Sequence, residues 1–179
     1  MLQAASRNHD AMAVDISPVR TPEEAGAVVE LVWEFFDYLK RDFPDRAEMI
    51  ARYLDAQDVA GELADLLNRF TPPQGECLLA RLDGDPVGTL MLKRVDDSTC
   101  EMNRMWVRPE GRGQGIGKRL IEDLGDAARA MGFHVMKLEA LDERIPAIPL
   151  YEKAGFLADP DRSAYAREDL RVIAMKKGL

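Results

Sequence analysis

The sequence predicts a single α/β domain (of the α+β kind) in which helices pack against a mixed, mostly antiparallel sheet. Short apolar segments are joined by turn-forming residues at 83–86 and 96–98, as in antiparallel hairpins. Two long segments, residues 21–40 and 116–131, repeat apolar side chains every three or four positions, which is typical of amphipathic helices. A glycine-rich loop at 108–114 leads directly into the second of these segments. A β-loop-α-β unit is therefore expected behind an antiparallel front half.

The first half of the chain predicts one strand followed by helices. Residues 13–19 alternate enough to form a strand. Thr21 can cap a helix, Pro22 suits its first position and Glu24 completes a capping box, so a long helix is expected to run to about Lys40. Residues 45–70 predict one or two shorter helices, which end at the proline- and glycine-containing stretch 71–75.

The second half predicts the rest of the sheet. Three strands are expected at 76–82, 87–95 and 99–107, followed by the helix at 116–131, which Gly132 ends. A strand at 134–141 and a short helix at 146–154 come next. Two further short strands, near 162–167 and 170–176, complete a predicted sheet of about seven strands.

Composition narrows the class of protein. Hydrophobic residues make up 46% of the 179 residues and charged residues 31%, as in soluble globular proteins. We expect one domain over residues 13–179, with a flexible segment at 1–12. No apolar run is long enough for a membrane span and the start has no apolar signal core, so we expect a cytoplasmic protein with no membrane partner. The net charge of −8 argues against a nucleic-acid partner.

The cysteines and histidines predict no metal site. Cys77 and Cys100 lie in apolar, strand-like segments, so we expect buried free thiols, as suits a reducing compartment. A disulfide or a catalytic thiol is the alternative. The two histidines are scattered, and no spacing of histidine with cysteine matches a set of metal ligands.

The loop that follows the third hairpin strand predicts an anion site. Glycines at 111, 113, 115 and 117 allow close backbone approach, and the free N–H groups of a following helix favour phosphate. A P-loop is excluded because only three residues separate Gly113 from Gly117. The dinucleotide pattern fails because Lys118 stands where its third glycine belongs. An ordinary tight turn is the remaining alternative.

Two motifs together resemble one family. The loop Arg112-Gly113-Gln114-Gly115-Ile116-Gly117 is similar to the acetyl-CoA loop of the GNAT N-acetyltransferases, written Gln/Arg-x-x-Gly-x-Gly/Ala. The segment Leu150-Tyr151-Glu152-Lys153-Ala154-Gly155-Phe156 resembles the second signature of that family, and residues 101–109 resemble the strand before the loop. The resemblance implies the GNAT fold, a sheet of about seven strands flanked by about four helices and splayed at the strand before the loop.

The resemblance also implies a co-substrate and its contacts. Acetyl-CoA would be the acetyl donor, with no metal, and a primary amine would attack the thioester directly. Backbone groups on the strand would pair with the pantetheine amides, a role that falls on Trp106 and Val107. The pyrophosphate would be held by the loop, at Arg112, Gly113, Gln114, Gly115, Ile116, Gly117 and Lys118.

Two residues are predicted to carry the chemistry. Strand alternation places residues 101, 103, 105 and 107 on one face, and Glu101 matches a basic glutamate of the family, so we expect Glu101 to be the general base. A solvated or salt-bridged carboxylate is the alternative. Tyr151 is expected to protonate the leaving thiolate, or else simply to pack against CoA.

The predicted function is therefore acetyl-CoA-dependent N-acetylation of an amine on a small molecule or peptide. A non-catalytic acyl-CoA-binding module is the alternative, because Arg144 replaces an asparagine that contacts CoA in many relatives and Pro149 lies at the start of the helix that carries Tyr151. Trp33, Phe36 and Tyr38 are interpreted as core rather than as acceptor pocket. An exposed edge strand near the C-terminus makes a homodimer possible.

Overall fold

A seven-stranded sheet forms the centre of the computed structural model, which describes residues 13–179 except the side chains of residues 164 and 165. The predicted flexible segment 1–12 lies outside the described residues. The strands are β1 (Val14–Pro18), β2 (Gly75–Leu82), β3 (Asp85–Arg94), β4 (Thr99–Val107), β5 (Val135–Ala140), β6 (Leu157–Ala158) and β7 (Ile173–Gly178).

The strand order across the sheet is β1-β2-β3-β4-β5-β7-β6. Neighbouring strands run antiparallel except for β4 and β5, which pair in parallel because α5 crosses between them. The predicted mixed, mostly antiparallel sheet is confirmed.

Seven α-helices flank the sheet in the described part of the chain. They are α1 (Pro22–Asp42), α2 (Ala47–Ala56), α3 (Val59–Ala64), α4 (Leu66–Arg69), α5 (Ile116–Ala130), α6 (Ile148–Lys153) and α7 (Ala164–Glu168). The predicted capping box is present, since Thr21 Oγ1 accepts from the N–H of Glu24 and the Glu24 carboxylate accepts from the N–H of Thr21.

The helix number exceeds the expected four for two local reasons. The segment predicted as one or two helices at 45–70 breaks into three, and Asp58 makes the first break by taking a left-handed conformation (φ 47°) and capping α3 through the N–H of Gly61. The second reason is α7, which occupies much of the predicted strand 162–167.

The prediction of a strand at 162–167 is wrong. Ser163 Oγ accepts from the N–H of Ala166 and so supports a helical turn. The Arg162 guanidinium donates to the carbonyl oxygens of Ala166 and Val172, which folds this segment back on itself. The seventh strand is instead the two-residue β6, which pairs with β7.

The sheet separates two apolar cores. One core lies between the sheet and helices α1–α4, and the other lies between the sheet and α5 with α6. Cys77 and Cys100 are buried in the two cores as free thiols, and burial raises the pKa of each to about 12. Among the described residues, no helix is long and apolar enough to cross a membrane.

Candidate functional site

The sheet opens between β4 and β5. These strands pair only at Thr99–Glu101 with residues 135–137, and the rest of β4 has no β5 partner. Beyond Lys137, β5 continues its pairing with β7 alone. The splay predicted at the strand before the loop is confirmed, and it leaves one backbone edge of β4 free to face a ligand.

A bulge at Arg104 distorts β4 at the same level. The β3 residues Thr89 and Met91 pair with Trp106 and Asn103, so one extra β4 residue is accommodated, and Arg104 has a left-handed φ of 55°. The bulge inverts the alternation. Met105 and Val107 pack with the α5 core, whereas Trp106 packs on α1.

The expectation that residues 101, 103, 105 and 107 share one face is therefore wrong. Met102 belongs to the α5 core before the bulge, and Met105 and Val107 belong to it after the bulge. Glu101 and Arg104 lie on the opposite face, beside Glu62 of α3: Lys93 bridges Glu101 and Glu62, and Arg104 pairs with Glu62.

The glycine-rich loop is open towards its concave side. Gly113 and Gly115 have left-handed φ values of 75° and 76°, and no heavy atom lies within 4 Å of the position of a Cβ on either. Gly115 is the N-cap of the 15-residue helix α5 and makes no side-chain cap, so the first N–H groups of α5 remain available to an anion.

A cavity of about 330 Å³ lies between the free edge of β4 and this loop. Its lining is mostly apolar and includes Phe35 and Tyr38 of α1 and Leu150 of α6. Eight of the nine residues predicted to bind the cofactor line it, namely Trp106, Val107, Arg112, Gly113, Gly115, Ile116, Gly117 and Lys118. Gln114 does not, because its side chain turns away and donates to the Glu110 carbonyl.

Arg112 lies across the mouth of this cavity. Its guanidinium stacks on the rings of Trp106 and Tyr38, at 4.9 and 5.9 Å, and its Nε donates to the Val107 carbonyl at 3.0 Å. Lys118 is exposed and pairs with Glu122 at 3.7 Å. Both cations are near the surface, where they can meet phosphate without first breaking a buried ion pair.

A second, smaller cavity of about 60 Å³ lies inside the splay. It shares four lining residues with the larger one, which are Phe35, Met105, Ile145 and Ala147. Its own polar lining comes from Tyr53, Asn103, Arg104, Glu139 and Tyr151. Of the aromatics interpreted as core, Phe36 lines this cavity and Tyr38 lines the larger one, whereas Trp33 packs against the α1 core.

Tyr151 lies deep in the smaller cavity. Helix α6 holds it, its ring packs edge-on against Phe156, and only 7% of the residue is exposed. Its hydroxyl makes no hydrogen bond to the described residues, and burial raises its pKa above the usual value. Pro149 is compatible with helix α6, since it occupies the first turn, where a backbone donor is not needed.

Arg144 does not line either cavity. Its guanidinium binds Asp142 and Asp45, so it ties the loop after β5 to the turn before α2. The hydrogen bonds from Arg144 hold the pKa of Asp142 below its ordinary value. The buried guanidinium of Arg46 also lies 3.3 Å from Asp142, which makes this loop well anchored.

Two carboxylates on β4 and β5, those of Glu101 and Glu139, differ in position. Glu101 lies where β4 and β5 are still paired, forms a 3.7 Å ion pair with Lys93 and lines neither cavity. Glu139 of β5 lines the smaller cavity and accepts hydrogen bonds from the N–H and Oγ of Ser163. The sequence prediction missed Glu139, although a carboxylate in the middle of a strand was an available signal. Among the described residues no group of metal-ligating side chains is present.

Comparisons with known proteins agree with this geometry. A model of the acetyltransferase (GNAT) family matches residues 29–156. The chain is 31% identical to an uncharacterised N-acetyltransferase of Schizosaccharomyces pombe over 145 residues, which is 80% of this chain and 82% of the relative. It is 34% identical to an IAA acetyltransferase of Azospirillum brasilense over 131 residues, covering 73% of this chain and 76% of the relative.

The fold has close structural counterparts. The PaiA N-acetyltransferase of Thermoplasma acidophilum, solved in complex with coenzyme A, superimposes with a TM-score of 0.70 at 18% identity, covering 94% of this chain and 100% of that one. At this identity the likeness concerns the fold. The family match covers well over half of the sequence, and the protein is a member of the GNAT acetyltransferase family.

Proposed function

We propose that this protein transfers the acetyl group of acetyl-CoA to a primary amine of a small molecule or peptide. The observation that carries the proposal is the adjacency of the two cavities, which share Phe35, Met105, Ile145 and Ala147. A donor in the larger cavity would thereby present its reactive end beside Tyr151.

The larger cavity suits coenzyme A in three respects. The free edge of β4 at Trp106 and Val107 offers backbone groups to the pantetheine amides, as an added strand would use them. The loop from Arg112 to Lys118 offers unpaired N–H groups and an open concave side to the pyrophosphate. The apolar lining suits the pantetheine methylenes and methyls.

The bound acetyl-CoA would supply an acyl group activated as a thioester. In the reaction the amine nitrogen forms a bond to the acetyl carbon, the carbon–sulfur bond breaks, and a proton leaves the nitrogen. Tyr151 gives its phenolic proton to the departing sulfur. Burial keeps this phenol protonated well above neutral pH, and the same apolar surroundings make the thiolate a stronger base.

The proton that leaves the amine needs a base. The sequence prediction assigns this role to Glu101, and a water chain from the cavity would be needed to connect it. Glu139 is the second candidate, favoured because this residue lines the smaller cavity together with Tyr151, and Ser163 orients its carboxylate. We prefer Glu139, since a base must lie within hydrogen-bond reach of the proton or one water away.

The purified full chain tests the proposal. Calorimetry with CoA should give binding, and a panel of primary amines with acetyl-CoA should release free thiol. Absence of CoA binding would refute the proposal. Binding without turnover of any amine would favour a non-catalytic acyl-CoA-binding module, the alternative suggested by the substitution at Arg144.

The remaining parts of the proposal concern cellular context. The two free thiols suit a cytoplasmic enzyme, where thiols stay reduced. The edge strand β6, with Leu157 exposed at 73%, is the candidate surface for a homodimer. Light scattering of the purified chain would show whether it dimerises.

A further inference from the structure

The smaller cavity contains buried polar atoms without partners. Both amide atoms of Asn103, Nδ2 and Oδ1, are buried and make no hydrogen bond, and the same is true of Arg104 Nε. Both residues line the cavity, and they are adjacent in the β4 bulge. Buried polar groups in folded proteins nearly always have partners, so two neighbouring exceptions among the lining residues of one cavity indicate a ligand.

The conformation of Arg104 supports this interpretation. Its φ of 55° lies in the left-handed region, where glycine would be the low-strain residue. The sequence instead places a long cationic side chain there, and the residue is only 5% exposed. Strained residues of this kind cluster at active sites and ligand-binding sites. The Glu62 carboxylate pairs with Nη2 of Arg104 and fixes the guanidinium, while Nε stays free.

The two sides of the splay offer different polar groups. The β4 side presents two donors, Asn103 Nδ2 and Arg104 Nε, which suit an anion. The β5 side contributes Glu139 to the lining, and its carboxylate, which accepts hydrogen bonds from Ser163, would suit an ammonium group. A cavity of about 60 Å³ holds roughly four to six water-sized groups, a size that matches the ammonium and carboxylate on one carbon.

We propose that the acceptor is a free α-amino acid, whose carboxylate binds Asn103 Nδ2 and Arg104 Nε while its amine lies beside Glu139. This inference rests on the proposed acetyl transfer and names its substrate class. The carboxylate would anchor the molecule, and the Glu139 side of the cavity would take the ammonium proton before the nitrogen attacks the thioester.

The proposal is tested by comparing acceptor molecules that differ only in whether they carry the carboxylate. Thiol release is measured for the standard α-amino acids, for their carboxamides and for the amines formed by their decarboxylation. The best amino acid should exceed its carboxamide and its decarboxylated amine in kcat/KM by at least roughly tenfold, because a site built for a polar group rejects analogues that lack it. Equal or faster turnover of the amines without a carboxylate would overturn the proposal.

Substitutions at Asn103 test the residue directly. Asn103→Asp replaces the donor by an anion that repels a carboxylate, so kcat/KM for the best amino acid should fall roughly tenfold or more, mainly through KM. Turnover of its decarboxylated amine should stay the same or rise. Asn68→Asp, on the exposed surface of α4, introduces the same charge as a matched control. Equal losses for both acceptors in Asn103→Asp would show a merely structural role and contradict the proposal.

A binding measurement separates this inference from the proposed activity. N-acetyl derivatives of the amino acids and of their carboxamides are titrated into the CoA complex by calorimetry. Tighter binding of the carboxylates, lost in Asn103→Asp, would support the subsite even if no amine were turned over. Equal binding of the two series would overturn the subsite while leaving acetyl transfer intact.

Discussion

The two cavities near the β4 bulge are lined by different chemical groups. The larger one is made from main chain and apolar side chains, with open glycines at 113 and 115 and the free edge of β4. The smaller one also has a mainly apolar lining but contains five polar side chains, three of whose atoms have no partner. The first arrangement suits a ligand whose amides and phosphates meet backbone groups. The second suits a small ligand whose polar groups are each recognised by a side chain.

The bulge creates this difference. Before Arg104, the odd-numbered residues of β4 face α1–α4, and after it they face α5. The inversion brings Asn103 and Arg104 to the same cavity, and the backbone beyond them pairs with β3 but not with β5. A single extra residue in one strand therefore separates the proposed donor site from the proposed acceptor site.

The largest expected effect is on the acceptor side, at the base. Glu139→Gln should lower kcat/KM at neutral pH by roughly 10²-fold or more, because general-base catalysis contributes at least this much. The loss should shrink as pH rises towards about 10, where the free amine becomes abundant without a base. Rate–pH profiles measure both effects.

Glu101→Gln is the matched control for this substitution. It removes the same negative charge from β4 instead of β5, at a position where Glu101 contacts Lys93. We expect a smaller loss. A larger loss in Glu101→Gln than in Glu139→Gln would restore the base that the sequence predicts and would weaken the contrast between the cavities.

Tyr151→Phe should lower turnover by roughly 10²-fold with almost no change in CoA affinity. The substitution removes only a hydroxyl that makes no hydrogen bond to the described residues, so the fold should be unaffected. Because burial raises the pKa of Tyr151, wild-type activity should not decline near pH 10 through loss of this proton. Single-turnover kinetics and calorimetry separate the two quantities.

Tyr38→Phe provides a comparison, since Tyr38 lines the larger cavity. Its effect on turnover should be slight. Unchanged turnover in Tyr151→Phe would remove the acid role and leave Tyr151 as a packing residue.

Gly115→Val should weaken CoA binding by roughly tenfold. No atom of the protein opposes a side chain at Gly115, so the added atoms would lie where the ligand approaches the backbone. The left-handed φ also costs about 1–2 kcal/mol of stability for a residue other than glycine. Calorimetry measures the affinity, and urea unfolding measures the free energy of unfolding.

Gly84→Val supplies the control, because Gly84 also has a left-handed φ (93°) and open space around its Cβ position but lies in the β2–β3 turn. It should lose a similar free energy of unfolding and bind CoA normally. Equal CoA affinity in both variants would refute the assignment of the loop.

The smallest effect concerns the loop after β5. The pKa of Asp142 is below its ordinary value, chiefly through the hydrogen bonds from Arg144, so ionised Asp142 stabilises the fold above about pH 3.9. This contribution is lost as pH falls through the lower, folded-state pKa. Arg144→Ala should therefore be less stable than wild type at pH 7, and the difference should shrink below about pH 4.

Urea unfolding at several pH values measures this difference, and Arg41→Ala is a control, since the Arg41–Asp42 pair is exposed. A stability difference that does not change with pH would mean that Arg144 acts by packing rather than through the charge of Asp142.

Much of the fold is readable from the sequence because its signals are local. The capping box at Thr21, the hairpin turns and the helix that ends before Gly132 depend on neighbours within a few residues, and the structure contains all of them. The segment 162–167 was misread because its helical turn is supported by contacts of Arg162 with later carbonyl groups.

The proposed donor loop could be predicted from the sequence, because glycines, a helix start and a fixed spacing form a continuous motif from Arg112 to Lys118. The proposed acceptor side could not be predicted in this way, because it depends on contacts between residues far apart in the sequence. The bulge at Arg104 arises from pairing with β3, and the meeting of Asn103, Glu139 and Tyr151 depends on how far β4 and β5 diverge. Strand alternation cannot foresee an inserted residue, so the faces of β4 and the position of Glu101 relative to the cavities were fixed by long-range pairing alone.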